Sequence, residues 1–277
     1  MNDAQCIRFL QWALPRLGMR WAGFRKVRRQ VCQRARRRAG ELGLSDLNAY
    51  RGYLDAHLEE WAVLDSLTPI TISRFYRDRG TFEFLAQDVL PALAAQALDH
   101  DRDTLDIWSA GCASGEEPYT LTIIWEHQLA PRFPALTTRI LATDIHPAML
   151  ARARRACFTP GSLRELPEPW RTAAFVQQDG LHCLREPYKQ AVTITSHDIR
   201  SGPPDGPFDL ICCRNLAFTY FAEDLQHQTA KWLVNALRAG GALVLGAHEQ
   251  PPDNFLGIEP WDSARGVYRQ VHARPDI

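Results

Sequence analysis

The chain has 277 residues, 45% of them hydrophobic, and its 32 basic and 32 acidic side chains cancel at neutral pH. That length and apolar content suit one large domain or two smaller ones with a substantial core. No run approaches the roughly 18 consecutive apolar residues of a membrane-crossing helix, and residues 1–20 lack the zones of a secretion signal, so a soluble cytoplasmic protein without membrane insertion is expected.

Residues 4–64 carry apolar side chains at helical spacing, among them Ile7, Leu10, Leu14, Val27, Val31, Leu47, Tyr50, Leu54 and Leu58. Breaks at Gly18 and at GELGLSDL divide them into several helices, with a stop at Gly43 and an N-cap expected at Ser45. Within this unit, RKVRRQVCQRARRR (25–38) holds eight basic side chains and no acid, so the neutral total hides a strongly basic segment. Nucleic acid, an anionic membrane surface or an acidic protein helix would be attracted to it. No aromatic interleaving or nucleic-acid reading motif accompanies it, so nucleic acid is not expected and an acidic helix fits better. A solvated charged face is the plain alternative.

LTPITISRFYRDRGTFEFL then leads through a proline turn into a helix over 82–98. From Thr104 the pattern changes. LDIWSAG, TRILATDI, AVTITSHDI, PFDLICCRN, GALVLGAHE and GVYRQV read as short strands, with helical patterns at 116–129, 147–156 and 222–238. Such alternation predicts a largely parallel sheet covered on both faces, with ligands at the carboxyl ends of the strands near the switch in strand order. Residues 160–190, with four prolines, interrupt the alternation and read as an insertion with a hairpin around LREPYK. The seven cysteines, without CxxC spacing and set in apolar segments, are expected to be free buried thiols, and no metal site is expected.

The chemistry concentrates at the strand ends. After the first strand comes Gly111-Cys-Ala-Ser-Gly115, followed at once by Glu116 and Glu117. A phosphate cradle would need GxGxxG or GxxxxGK[ST], neither of which is present, and two carboxylates would repel a pyrophosphate. The fitting guest carries an amine, a sulfonium or a ribose. Asp144 ends the second strand, where an acid can take both ribose hydroxyls. Asp198 follows the third strand and suits an adenine amino group, and Arg214 and Asn215 follow the fourth. Each is weak alone, because an Asp at a strand end often caps a helix. Together on successive strands they describe a site for S-adenosylmethionine.

The motifs TPITISRFYRD (68–78), WSAGCASGEEPYT (108–120), ATDIHPAMLARAR (142–154), GPFDLICCRNLAFTYF (206–221) and LVLGAHE (243–249) closely resemble the chemotaxis receptor methyltransferase (CheR) family over nearly the whole chain. The resemblance implies a Rossmann-like α/β class I methyltransferase sheet (81–277) with an N-terminal all-helical domain (1–80) and a short β insertion. It implies S-adenosylmethionine as cofactor, S-adenosylhomocysteine as product, and methyl transfer to a glutamate of an acidic, chemoreceptor-type helix docked on the basic segment. The family's Asn-x-Thr-x-x-x-Arg arrangement, which reaches the cofactor and the catalytic centre, is matched by Thr71, Ser73 and Arg77, with only the arginine unchanged, so these three are implied as cofactor contacts too. Cofactor contacts carry over to Gly111, Ala113, Glu116, Glu117, Asp144, Ile145, Arg214 and Asn215. Asp198 and Ile199 stand where the family commonly has Asn and Leu. A catalytic pair, Arg77 and Tyr220, is implied, but CRNLAFTYF is one residue longer before the tyrosine than the family's CRNxxIYF.

Alternatives remain for several of these residues. Arg77 could instead pair with Asp78 or Glu83, and His146 and His248 read as structural. A small β-subdomain in the family holds a receptor's C-terminal peptide in some members; with room for only a hairpin in 160–190, tethered-peptide binding is not expected here. The altered Thr71/Ser73 pair leaves two rivals open: a methyltransferase acting on a small molecule or peptide in a biosynthetic pathway, and a cofactor-binding regulatory module without turnover.

Overall fold

A computed structural model describes residues 3–253 and 255–271. The chain divides into two compact units, one formed by residues 1–70 and 219–226, the other by 71–218 and 227–277.

The first unit is built on the helices Asp3–Ala13, Arg28–Glu41, Leu47–Ala56 and Glu60–Leu67. Their apolar positions recur at helical spacing and converge on a core that includes Phe9, Leu10, Val31, Leu47, Tyr50 and Leu54, all buried. The third of these helices is capped by Asp46 rather than Ser45: the Asp46 carboxylate accepts from the N–H groups of Asn48 and Ala49. A charged group also lies inside. Glu60, 4% exposed, accepts from Arg38 Nε (2.8 Å) and Nη2 (2.9 Å) and from the Tyr50 hydroxyl (2.8 Å). The later segment, which ends the short helix Ala217–Tyr220 and begins the helix Glu223–Ala236, joins this unit through its backbone: Arg20 N–H donates to Tyr220 O and Ala222 N–H to Gly18 O, while Met19 forms a single bridge with Phe221. Gly23 permits the approach, because a Cβ there would lie 2.2 Å from the Thr219 carbonyl oxygen.

The second unit carries ten strands: β1 (Thr104–Ala110), β2 (Thr137–Asp144), β3 (Cys157–Phe158), β4 (Phe175–Gln178), β5 (Leu181–Leu184), β6 (Val192–Ser196), β7 (Phe208–Cys213), β8 (Leu237–Leu245), β9 (Ile258–Asp262) and β10 (Val267–Gln270). Seven form one sheet in the order β6-β2-β1-β7-β8-β10-β9. Its first five strands are parallel, whereas β10 runs antiparallel to β8 and β9 antiparallel to β10. The order reverses between β1 and β7, so the ligand end predicted from sequence falls at the carboxyl ends of those strands. The expected strands are all present. Strand β9 was not among the expected strands; it contains Pro260, which its edge position tolerates, since an edge strand leaves one row of N–H groups unpaired. The predicted helix over 82–98 begins at Arg79 and is interrupted by a wide turn at Leu85–Val89.

Two expectations fail here. The insertion is a three-stranded antiparallel sheet, β3-β5-β4, not a single hairpin around LREPYK. Asp179 and Gly180, both with positive φ, turn β4 into β5, as Asp-Gly pairs favour, while Pro187 lies in the first turn of the helix Glu186–Lys189. The reason for setting aside tethered-peptide binding falls with that correction. The cysteines also differ. Cys6–Cys32 and Cys157–Cys183 are disulfides, and only Cys112, Cys212 and Cys213 are free and buried. Pairing across 26 residues in each case depends on which elements meet, a matter that spacing along the chain does not reveal. Cys157 and Cys183 face each other as register partners of β3 and β5.

Among the described residues, no helix is long and apolar enough to cross a membrane.

Candidate active site

The glycine turn after β1 is shaped by three left-handed residues, Gly111 (φ 78°), Ala113 (φ 48°) and Gly115 (φ 94°). Gly111 and Cys112 N–H both donate to Thr143 O on the neighbouring strand, at 2.8 and 2.9 Å. The turn therefore sits against the end of β2. There Asp144 Oδ2 accepts from Ala113 N–H (2.9 Å) and Oδ1 from His146 N–H (2.9 Å). A carboxylate offers two acceptor sites on each oxygen, so this half-buried group keeps capacity for ribose hydroxyls. Close packing fixes the glycines: a Cβ on Gly111 would approach Leu216 Cδ2 to 2.6 Å, and one on Gly115 would meet Tyr119 at 3.0 Å and Ala153 at 3.1 Å.

The two acids at the start of the helix Glu116–Ile124 have different surroundings. Glu116, 2% exposed, accepts from Ser114 Oγ (2.8 Å) and from Ser162 Oγ (3.0 Å). It is a strut between the glycine turn and the insertion, and its burial leaves little surface for a ligand. Glu117 accepts from Ser109 Oγ (2.7 Å) and Arg214 Nη1 (3.0 Å).

Arg214 lies at the centre of a buried polar network. Its Nη2 donates to Asp78 Oδ2 (2.7 Å) and to Arg77 O (2.8 Å), and its guanidinium carbon lies 4.8 Å above the Phe82 ring. Burial opposes its charge, but Glu117 and Asp78 outweigh that and hold the guanidinium protonated above its ordinary range. Arg77 joins the same network from the preceding segment, its Nη2 donating to Asn215 Oδ1 (3.0 Å) and its Nη1 to Ile72 O (2.7 Å). Neither alternative partner holds it: Asp78 pairs with Arg214, and Glu83 with Arg79. The segment is bent by left-handed Tyr76 (φ 58°) and Asp78 (φ 63°), and Asn215 is left-handed as well (φ 55°). For a buried tyrosine this is a costly conformation, of the kind that gathers at functional sites. Thr71 and Ser73 are half-buried on the same segment, flanking exposed Ile72.

The remaining predicted residues fall as follows. Asp198 caps the short turn Ile199–Ser201, accepting from Arg200 N–H, and both its oxygens also accept from the Arg200 side chain. Burial raises its pKa, but the Arg200 contacts more than compensate and keep it below the usual range. Its local partners are thus those of a cap. Ile199 is buried and Ile145 half-buried. Tyr220 belongs to the first unit, where its ring lies 4.9 Å from that of Phe24. His146 precedes the helix Pro147–Arg155, its Nδ1 buried without a hydrogen-bond partner among the described residues, and His248 is exposed. Burial pushes the Cys112, Cys212 and Cys213 thiols up, which makes them inert as nucleophiles.

Sequence reasoning missed Asp78, Ser109, Ser162 and Glu249. The first two lie inside the quoted motifs, Asp78 having been considered only as a partner of Arg77, and could have been found by asking what neutralises Arg214 and what donates to Glu117. Ser162 lies far along the chain and carries no local signal.

The donor set fits S-adenosylmethionine. Carboxylates at Asp144 and Glu117 suit a ribose and an amine, and the turn contains no lysine for a phosphate. Strand order, glycine turn and the acid ending β2 define a class I S-adenosylmethionine-dependent methyltransferase. The family model described as CheR methyltransferase, SAM binding domain, matches residues 71–259, and the chain belongs to that family. A chemotaxis protein methyltransferase of Listeria innocua is 36% identical over 198 residues, covering 70% of this chain and 72% of that protein. Chemotaxis protein methyltransferase 2 of Vibrio cholerae is 27% identical over 291 aligned positions, covering 100% of this chain and 96% of its own. Among solved structures, the amino pentose methyltransferase CalS10 of Micromonospora echinaspora matches at 21% identity and a TM-score of 0.35, over 61% of this chain and 52% of its own.

Proposed function

We propose that the protein methylates glutamate side chains on an acidic, chemoreceptor-type helix. The observation that carries this reading is the Arg77–Asn215 hydrogen bond at the end of β7, with Arg214 buried beside it. A guanidinium oriented in this way keeps further N–H donors for a carboxylate, which it can grip in a bidentate manner.

S-adenosylmethionine, when bound, supplies an electrophilic methyl group on a sulfonium. The acceptor glutamate is already ionised near neutral pH, so no base is required. One carboxylate oxygen forms the new bond to the methyl carbon as the carbon–sulfur bond breaks. The bonding pair leaves with sulfur, and no proton moves. The residues therefore act by positioning: with the cofactor bound, Asp144 would take ribose hydroxyls and Glu117 would offer its carboxylate to the amine, while Arg77 aligns the incoming carboxylate. Thr71 and Ser73 line the same segment.

The acceptor helix is assigned to the outer face of the helix Arg28–Glu41 and the turn before it. Three of the eight basic residues are held internally: Arg28 by Asp3, Arg34 by the Leu67 and Pro69 carbonyls, and Arg38 by Glu60. Arg25, Lys26, Arg29 and Arg37 are exposed and form the docking charge.

The test is incubation with labelled S-adenosylmethionine and an acidic receptor helix. Base-labile label on glutamate is expected, together with acceptor binding that weakens steeply with salt while S-adenosylhomocysteine binding stays nearly constant. Base-stable label on a small molecule, or tight cofactor binding without transfer, would replace this reading by one of its rivals. Arg77→Lys should lose most turnover; wild-type turnover would remove Arg77 from its role.

A further inference from the structure

Glu249 follows β8, after a turn in which its N–H donates to Gly246 O (2.8 Å). It is 6% exposed, and its carboxylate folds back beneath the neighbouring strand end. Oε2 accepts from Asn215 N–H (2.6 Å) and Gly246 N–H (2.8 Å), and Oε1 accepts from Leu216 N–H (3.1 Å). Successive N–H groups around a left-handed residue form a concavity that collects an anion. Asn215, at φ 55°, followed by Leu216, makes such a concavity at the ligand end of the sheet. The chain fills it with its own carboxylate. Gly246 is needed for this, since a Cβ there would stand 2.8 Å from Glu249 Oε2 and 3.0 Å from Asn215 Cγ.

The held loop touches the site in two places. The Asn215 side chain meets Arg77, and Leu216 packs on Gly111 of the glycine turn. We propose that Glu249 is a positioning residue for methyl transfer: it occupies the anion-binding concavity after β7 and fixes Asn215 in the left-handed conformation that presents its Oδ1 to Arg77. The inference rests on the functional reading above, in which Arg77 aligns the acceptor.

The experiment compares Glu249→Gln, Asn215→Ala and the double variant in the full chain. In Glu249→Gln, amide exchange at Asn215, Leu216 and Gly246 should accelerate, because the charge that holds their protons is gone. The variant's kcat should fall about 10- to 100-fold, the scale of a misplacement approaching one ångström, and by more than the affinity for S-adenosylhomocysteine falls. The double variant should be no slower than Asn215→Ala alone, since Glu249 acts through Asn215. Unchanged exchange at the three amides, wild-type kcat in Glu249→Gln, or losses that multiply in the double variant would each overturn the proposal. Should Glu249→Gln melt below the assay temperature, Glu249→Asp replaces it: its carboxylate is one methylene too short to reach the Asn215 and Leu216 N–H groups, so the same faster exchange and lower kcat are expected from lost contact rather than lost charge. Failure of the functional reading has a separate signature: the wild-type protein itself would transfer no methyl group, while the exchange comparison still decides whether Glu249 holds the loop.

Discussion

Replacing Arg214 by methionine tests the buried network most directly. Methionine keeps much of the apolar stem over Phe82 but removes the guanidinium, leaving Glu117 and Asp78 without their shared cation. Removing one partner of a buried ion pair costs about 3–5 kcal/mol because the other charge stays desolvated. Exposure decides where in that range the loss falls. The Arg214 side chain is 4% exposed and Glu117 14%, but Asp78 is 32% exposed and can regain water. Asp78 therefore adds little, and the lower end, about 3 kcal/mol, is expected. For a unit of this size that corresponds to a fall of about 6–12 °C in Tm. Differential scanning calorimetry of wild type, Arg214→Met and Arg214→Lys provides the measurement. Lysine keeps the charge but is a single ammonium that cannot serve Glu117, Asp78 and the Arg77 carbonyl together, so about half the loss is expected. An Arg214→Met protein that melts within about 1 °C of wild type would refute the reasoning, since it would mean the network contributes no net stability.

Gly23→Ala should destabilise the first unit by about 1–3 kcal/mol in urea unfolding, through the clash with Thr219 O, whereas Gly40→Ala, with open space around its Cβ, should be neutral or stabilising by up to about 1 kcal/mol. The hydrogen bonds from Arg38 hold the Glu60 carboxyl below its ordinary value of 4.5, against the effect of burial. A folded value below the unfolded one means that the pair's contribution is fully present above about pH 4.5 and is lost as pH falls through the folded value, so Glu60→Gln should flatten the acid limb of the thermal-stability profile. Thiol titration of the unfolded, unreduced protein should find three groups; seven would mean that neither disulfide forms.

The sheet was legible in the sequence because its parallel strands are continuous apolar runs separated by helical patterns. The acids and glycines of the site were legible because they sit at the ends of those runs. Partners were not. Glu116 and Glu117 look alike as neighbours, yet helix geometry turns one toward Ser162 and the other toward Arg214. Asp198 reads as a ligand acid, while its contacts with Arg200 two residues on give it the bonds of a cap. Glu249 went unnoticed beside the more conspicuous His248, since two of its three donors lie 33 and 34 residues earlier and the third, Gly246 N–H, looks like part of an ordinary turn. The Cys pairs were hidden for the same reason. Local chemistry is written along the chain, whereas pairing depends on which ends the fold brings together.

The helical unit is not a detachable module, because its final piece, residues 219–226, is encoded within the stretch that belongs to the sheet unit. A fragment starting at Thr71 would keep every strand yet release Thr219–Phe221 from Gly18, Met19 and Arg20, exposing backbone groups that the intact chain satisfies. A fragment ending at Ile70 would conversely leave Gly23 without the carbonyl for which its missing side chain makes room. Gene fusions or domain exchanges that cut at residue 70 therefore break two partners at once, and recombination in this lineage is expected to preserve the two regions as a pair.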